Sequence, residues 1–256
     1  MSALPNSIAR SAQVTATAPI GERGTVWLPE IFPAGEREIA AASDILKRGH
    51  RSPDVFLLRR GLAFIYRILA DGRRQILHFA LPEEVLNPCT GIGGAATASI
   101  QALTDVTISA MPRDQFDAAT QLASDLGRQL AARFETGRLI AYEHMTNIGR
   151  RSARERIANL LLELFCRTRG RLPQTPNESA PMPMTQNVIA DALGLTSVHV
   201  NRTLRCLRDE GILRLRHGTL LVLDPDRFIE LADLSHELLA LITRENGRDT
   251  GVGRTR

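Results

Sequence analysis

The stretch "TQNVIADALGLTSVHVNRTLRCLRDEGIL", residues 185–213, reads as good helix except for one glycine near its middle, Gly194. Glycine takes the left-handed backbone conformation at low cost, so it can end one helix and let the next start at an angle. The first helix is then capped by Thr185 and runs to Leu193, with Val188, Ile189, Ala192 and Leu193 on its buried side. The hydroxyl of Thr196 caps the second helix. There Val200, Leu204 and Leu207 fall at i, i+4 and i+7 and go inward, leaving Val198, Asn201, Arg202 and Arg205 on the outer face. Short helix, glycine corner and second helix with a polar outer face is the pattern of a helix-turn-helix, whose second helix enters the DNA major groove.

A glycine corner also joins helices in many proteins that touch no DNA, and two neighbouring features favour the nucleic-acid reading. "GILRLRHGTLLVL" alternates as strand, turn at His217-Gly218 and strand, which adds a hairpin wing. The charge is also local: residues 150–216 hold 12 arginines and 6 acidic residues, a surplus larger than the +4 of the whole chain. A basic patch centred on a winged helix-turn-helix is the electrostatic footprint of a duplex binder.

Upstream the pattern changes. Residues 1–22 are small and polar without periodicity and are expected to form a mobile arm. Residues 36–112 are strand-like: "VFLLRRGLAFIYRILADGRRQILHFALP" has apolar runs broken at Arg60-Gly61 and at Asp71-Gly72, the second a hairpin signal. "ASIQALTDVTISAMP" adds two short strands that turn at Thr104-Asp105. After Pro112 the period becomes helical, with Leu122, Leu126, Leu130, Phe134, Ala141, Met145 and Ile148 on one stripe. That stripe either packs on the β domain or forms a coiled-coil-like dimer seam, and the pattern alone leaves both open. Gly149 is expected to interrupt this helix, Ser152 with Glu155 reads as a capping box, and residues 147–151 as a hinge. "RLPQTPNESAPMP", residues 171–183, reads as a loop. The expected class is α+β, divided into an arm (1–22), an antiparallel β sensor domain (23–112), a long helix with hinge (113–149), a winged helix-turn-helix (150–223) and a C-terminal helix with a basic tail (224–256).

Several function classes are disfavoured. No apolar run approaches the roughly 20 residues that span a bilayer, and the N-terminus lacks a signal-peptide core, so no membrane association and a cytoplasmic location are expected. Cys89, Cys166 and Cys206 form no C-x-x-C pair, which indicates neither a disulfide framework nor a thiolate zinc site. No Ser/His/Asp, paired-carboxylate or metal-ligand constellation points to catalysis, so the chain is not expected to be an enzyme. The competing reading is a nucleotide-binding signalling protein or enzyme whose helical domain binds a protein partner.

"NIGRRSARERIANLLLEL" and the residue 185–213 segment, with its Leu-Gly-Leu-Thr corner and Asn201-Arg202, resemble transcription regulators related to the cyclic AMP receptor protein and the fumarate and nitrate reduction regulator. The resemblance covers about residues 36–223 and implies a β-roll sensor, a dimer formed along the residue 114–148 helix, and a two-fold symmetric promoter site on double-stranded DNA with half-sites about one helical turn apart. It also implies contact with RNA polymerase. The family's base-reading residues fall at Ser197 or Val198, Asn201 and Arg202, and its phosphate contacts near Thr196, His199 and Arg205, with Thr185 at the start of the first helix. Many members carry a glutamate where this chain has Val198; a valine offers only apolar contact, for instance to a thymine methyl, so the half-site is expected to differ.

Cyclic-nucleotide binders of this family use Gly-Glu for the ribose and Arg-Ser or Arg-Thr for the phosphate. Here the two regions read "LPEEVLN" and "GIGGAATASIQALTDV", leaving Glu83 or Glu84 and Thr97, with Ala96-Thr97 in place of the Arg-Ser pair. Arg73 and Arg74 flank the Asp71-Gly72 turn and are expected to point into solvent. Gly91, Gly93 and Gly94, with no following helix or lysine, read as a loop rather than a phosphate cradle. No cofactor is expected: an iron–sulfur cluster needs about four thiolates, and a lone His78 or His50 is more often a packed or surface residue than a haem ligand. Cys89 lacks the local positive charge that activates a redox thiol. The effector stays unassigned, and cyclic AMP and cyclic GMP are not expected to activate the protein.

Overall fold

The computed structural model describes residues 26–89, 94–122 and 124–243, with Leu122 and Ser124 described by their backbone only. The expected arm, Gly91, Gly93 and the tail beyond residue 243 lie outside the described residues.

Among the described residues a short 3₁₀ turn, Leu28–Ile31, precedes eight strands: β1 Glu36–Ile39, β2 Asp44–Leu46, β3 Asp54–Arg60, β4 Ala63–Ile68, β5 Arg74–Ala80, β6 Val85–Leu86, β7 Ser99–Ala102 and β8 Val106–Pro112. They form two four-stranded antiparallel sheets, β1-β8-β3-β6 and β2-β7-β4-β5. Of the three breaks expected from sequence, the one at Asp71-Gly72 makes the β4–β5 hairpin. The other two carry the chain from one sheet to the other. At Gly61 (φ +81°) an added Cβ would lie 2.2 Å from the Asp105 carbonyl oxygen, so the two crossovers touch where only glycine fits. Alternating residues such as Phe56, Leu58, Ile100 and Ile108 fill the space between the sheets.

The helical segment after Pro112 departs from the single helix expected. It is two helices, α1 Arg113–Leu122 and α2 Ser124–Arg150. Phe116 of α1 and Leu126 of α2 are buried together against Leu28, Phe32 and Val55, so burying the apolar ends of both helices folds the chain at their junction. The stripe is therefore divided: Leu126 and Leu130 pack on the β-roll, while Phe134, Met145 and Ile148 are 46%, 62% and 42% exposed. Gly149 does not interrupt α2, which continues to Arg150; a single glycine in a helix costs only about 1 kcal/mol relative to alanine. The break comes at Arg151-Ser152, where Ser152 and Glu155 form the expected capping box of α3, Ala153–Arg169.

Beyond α3 come β9 Glu178–Pro181, α4 Gln186–Leu193, α5 Ser197–Asp209, β10 Leu213–Arg216, β11 Thr219–Val222, α6 Pro225–Ala232 and α7 His236–Ile242. The proline-rich stretch read as loop thus contains a strand, β9, which pairs with β11 and makes the wing three-stranded. Pro181 ends β9 at a sheet edge, where a missing N–H is tolerated. One apolar core joins Phe64, Tyr66, Ile76 and Phe79 of the β-roll to Leu161, Phe165, Ile189 and Phe228 of the helical unit. Each such side chain contributes about 1.5–3 kcal/mol on full burial, so the two units are packed together rather than tethered.

Candidate nucleic-acid interface

Thr185 and Thr196 both have extended backbones, and their hydroxyl oxygens accept from the N–H of Val188 at 3.3 Å and of His199 at 3.2 Å. Each hydroxyl keeps its proton to donate outward. Between the helices Gly194 has φ +64°, and its N–H closes on the Ala190 carbonyl, so the corner is made as the glycine suggested. Val200 and Leu207 are fully buried and Leu204 is half-buried. Thr203 is also buried, three residues on from Val200, a position the inward stripe had not included.

The opposite face is open. Val198 is 78% exposed, and Asn201, Arg202 and Arg205 are exposed beside it, while Ser197 and His199 are half-buried at the helix start. The eight residues named from sequence thus lie on α5 or at the two helix starts, Thr185 one corner away. Asn201 Nδ2 donates to Gln186 Oε1 at 3.0 Å, which ties the outer face of α5 to the first residue of α4. Gln186 was not anticipated; its place directly after the Thr185 cap was the available signal. Asn201 keeps its carbonyl oxygen and one N–H, the donor–acceptor pair that can meet an adenine edge.

The wing adds charge beside this face. His217 (φ +49°) and Gly218 (φ +70°) form the tight β10–β11 turn expected from sequence, and Arg214, Arg216 and His217 are exposed. Arg202 and Arg205 of α5 and Arg214 and Arg216 of β10, the strand packed against it, are thus exposed cations, a surface suited to a polyanion. Among the described residues no group of His, Cys, Asp and Glu is placed to hold a metal ion, and no helix is long and apolar enough to cross a membrane.

On the sensor side a cleft of about 310 Å³ opens between the β-roll and α2, lined among others by Leu77, His78, Glu84, Arg133, Phe134 and Arg167. Glu84 is occupied: its two oxygens take His78 Nε2 at 2.9 Å and Arg167 at 2.6 Å. Burial alone would raise its carboxyl, but Arg167 and His78 outweigh burial and hold it at about 2. Two cations, Arg133 and Arg167, line a cleft whose adjoining sequence had shown none. Arg67 also reaches the Thr97 carbonyl at 3.1 Å. Arg74 corrects a further expectation. It does not point into solvent but pairs with Asp191 of α4 at 2.8 Å and lies over the Phe64 and Tyr66 rings. Cys89 and Cys206 are exposed thiols, and burial pushes the Cys166 thiol up to about 12.

Two family profiles match the chain: a cyclic nucleotide-binding domain over residues 36–122 and a Crp-like helix-turn-helix domain over residues 155–231. The nitrogen fixation regulation protein FixK of Bradyrhizobium diazoefficiens is 34% identical over 67% of this chain and 71% of its own length. The transcriptional activatory protein AadR of Rhodopseudomonas palustris is 31% identical over 82% of this chain and 90% of its own. The structure of FixK2 from Bradyrhizobium japonicum superposes with a TM-score of 0.69 at 27% identity, covering 78% of this chain and 98% of that one.

Proposed function

We propose, since the chain belongs to the Crp/Fnr family of transcription regulators, that it acts as a homodimer which reads a two-fold symmetric promoter site with α5. The observation that carries this reading is the outer face of α5, where Val198, Asn201, Arg202 and Arg205 stand exposed between two capped helix starts and a basic wing. Arg202, one turn into the helix, is the base reader: a guanidinium donates twice to a guanine edge. Asn201 reads beside it, and Val198 or Ser197 meets the base edges at the helix start. Arg205, Thr196, His199 and Thr185 take phosphates and set the register.

The dimer forms along α2. Phe134, Ala141, Met145 and Ile148 repeat at seven, four and three residues on its exposed side, the spacing of a coiled-coil seam. Two copies joined there carry two α5 helices to half-sites about one turn apart. Promoter activity through RNA polymerase and action in the cytoplasm follow from this role. Selection of bound duplexes from a random pool, followed by gel shift of the best sequence, tests the reading. The expected outcome is a palindromic motif bound by a dimer; binding indifferent to sequence would overturn it.

A further inference from the structure

Five side chains form an unbroken ionic chain from α2 to the cleft. His144 Nε2 lies 2.7 Å from Glu163, whose other oxygen takes Arg167 at 2.7 Å; Arg167 reaches Glu84 at 2.6 Å, and Glu84 takes His78 at 2.9 Å. Arg167 also donates to the Phe79 carbonyl at 2.6 Å. The chain joins two units: Glu84 and His78 belong to the β-roll, Glu163 and Arg167 to α3, the first helix of the DNA-binding unit. Glu84, one of the two glutamates in the region where cyclic-nucleotide binders of the family hold ribose, is here bonded to the DNA-binding unit.

We propose that Glu84 is a positioning residue for DNA binding: held by Arg167, it fixes the DNA-binding unit on the β-roll, and one proton carried along the chain keeps the joint neutral. The inference rests on the reading of the protein as an operator-binding dimer. A dimer grips both half-sites at once only if its two recognition helices keep a fixed spacing, so a joint that fixes α3 also fixes α5. The ionic joint does not stand alone. Arg74 to Asp191, and Gln75 to the Ala192 carbonyl at 2.9 Å, hold α4 on β5 next to it, and none of these contacts covers the outer face of α5.

The charge balance follows from the groups present. Two carboxylates, Glu84 and Glu163, face one guanidinium, Arg167, so the chain, buried at Glu163 and Arg167 and part-buried at Glu84, is one negative charge in excess until an imidazole binds a proton. His144 is packed against Glu163 and Arg167 of α3 and the Leu77 backbone of β5. From α2, Arg133 reaches the Glu83 carbonyl at 2.9 Å on the cleft side, and from α3 Cys166 remains a neutral thiol beside Glu163. Burial lowers the His144 ring, but the charge and hydrogen bond of Glu163 outweigh burial, and the balance is upward. A raised imidazole stabilises the joint below its unfolded value of about 6.5 and loses that contribution as pH rises through its folded value.

The test compares full-length wild type with Glu84→Gln on a selected two-half-site duplex and on a random duplex, at about pH 6 and about pH 8.5. The substitution keeps the shape of the side chain and leaves Arg167 neutralised by Glu163, so the chain folds; equal binding of both proteins to the random duplex confirms it. Glu84→Gln is expected to bind the operator about tenfold more weakly at the lower pH, because the charge-assisted bond that ties the part-buried Glu84 to Arg167 becomes a weaker neutral one. That gap should narrow at the higher pH, where wild type has lost its proton. Equal or tighter operator binding by Glu84→Gln, or a gap that does not change with pH, would overturn the proposal. A wild type with no preference for any duplex would instead overturn the reading beneath it.

Discussion

On α5, Arg202 and Arg205 stand exposed with no hydrogen-bond or ion-pair partner among the described residues, whereas in the cleft His78, Glu84, Arg133 and Arg167 are already engaged within the chain. The two regions carry similar residue types and differ in what those residues are left to do. On α5 the charges await an outside partner and lose little by waiting in water. In the cleft, Glu84 and Arg167 are bonded to each other and, on their other sides, to His78 and Glu163, so a ligand that takes one of them must break a charge-assisted bond already made. Motif positions inherited from a family therefore predict binding only where the fold leaves their side chains unspent.

The contrast is broken most severely by preventing two copies from meeting. Met145→Glu or Ile148→Glu sets a carboxylate in the proposed α2 seam and should turn the dimer into monomers. Loss of the linked second half-site then weakens operator binding by about 10²–10⁴-fold. Sedimentation alongside gel shift checks this, and a wild type that is monomeric at micromolar concentration would sink the seam. Leu130→Glu sharpens the point, since Leu130 packs on the β-roll: it should lower thermal stability instead of splitting a folded dimer.

Next in size is Arg202→Ala. Removing a bidentate guanine contact should cost about 1–3 kcal/mol on the operator and relax the base preference at one position. An equal loss on random and specific duplexes would make Arg202 a phosphate contact.

Strands β3, β4, β5, β7 and β8 of the β-roll, the corner at Gly194, the caps at Thr185, Thr196 and Ser152 and the wing turn were legible from sequence, because each is set by residues close together in the chain. Strands β1, β2 and β6 were covered only by the general strand-like character of residues 36–112. What escaped depends on distant partners. The fold between α1 and α2 comes from Phe116 and Leu126 sharing a pocket with Leu28 and Phe32, contacts across nearly a hundred residues. β9 is a strand because β11 lies beside it, in a stretch whose own composition says loop. Arg74 looked like a turn residue until Asp191 arrived from α4. The outer face of α5 could be named residue by residue since helical periodicity alone sorts it, but Gln186 needed the angle between two helices. From sequence the family position could be narrowed only to Glu83 or Glu84; that Glu84 is bonded to Arg167, 83 residues away, could not be seen.

A smaller effect is expected at Arg205. As a phosphate contact it carries little sequence information, so Arg205→Ala should weaken operator and random duplex alike and make the salt dependence of binding shallower by about one unit of slope. Titrations at several salt concentrations measure it; an unchanged slope would remove Arg205 from the backbone contacts.

The smallest expected effect is none: cyclic AMP and cyclic GMP should leave operator affinity unchanged. The sequence around Ala96 offers no positive charge, but the fold brings Arg133 and Arg167 to the cleft and Arg67 to the Thr97 carbonyl. What now supports the prediction is the state of Glu84. To accept a ribose hydroxyl it must give up Arg167 or His78, and a neutral hydroxyl returns less than the charge-assisted bonds it replaces. The phosphate has an analogous difficulty. Arg133 is committed to the Glu83 carbonyl, and Arg67 is not among the residues lining the cleft. Isothermal titration of the full-length protein with cyclic AMP up to millimolar concentration decides the matter. Saturable micromolar binding that also tightens operator binding would mean that the joint yields to ligand, and that the cleft is as open to an outside partner as α5.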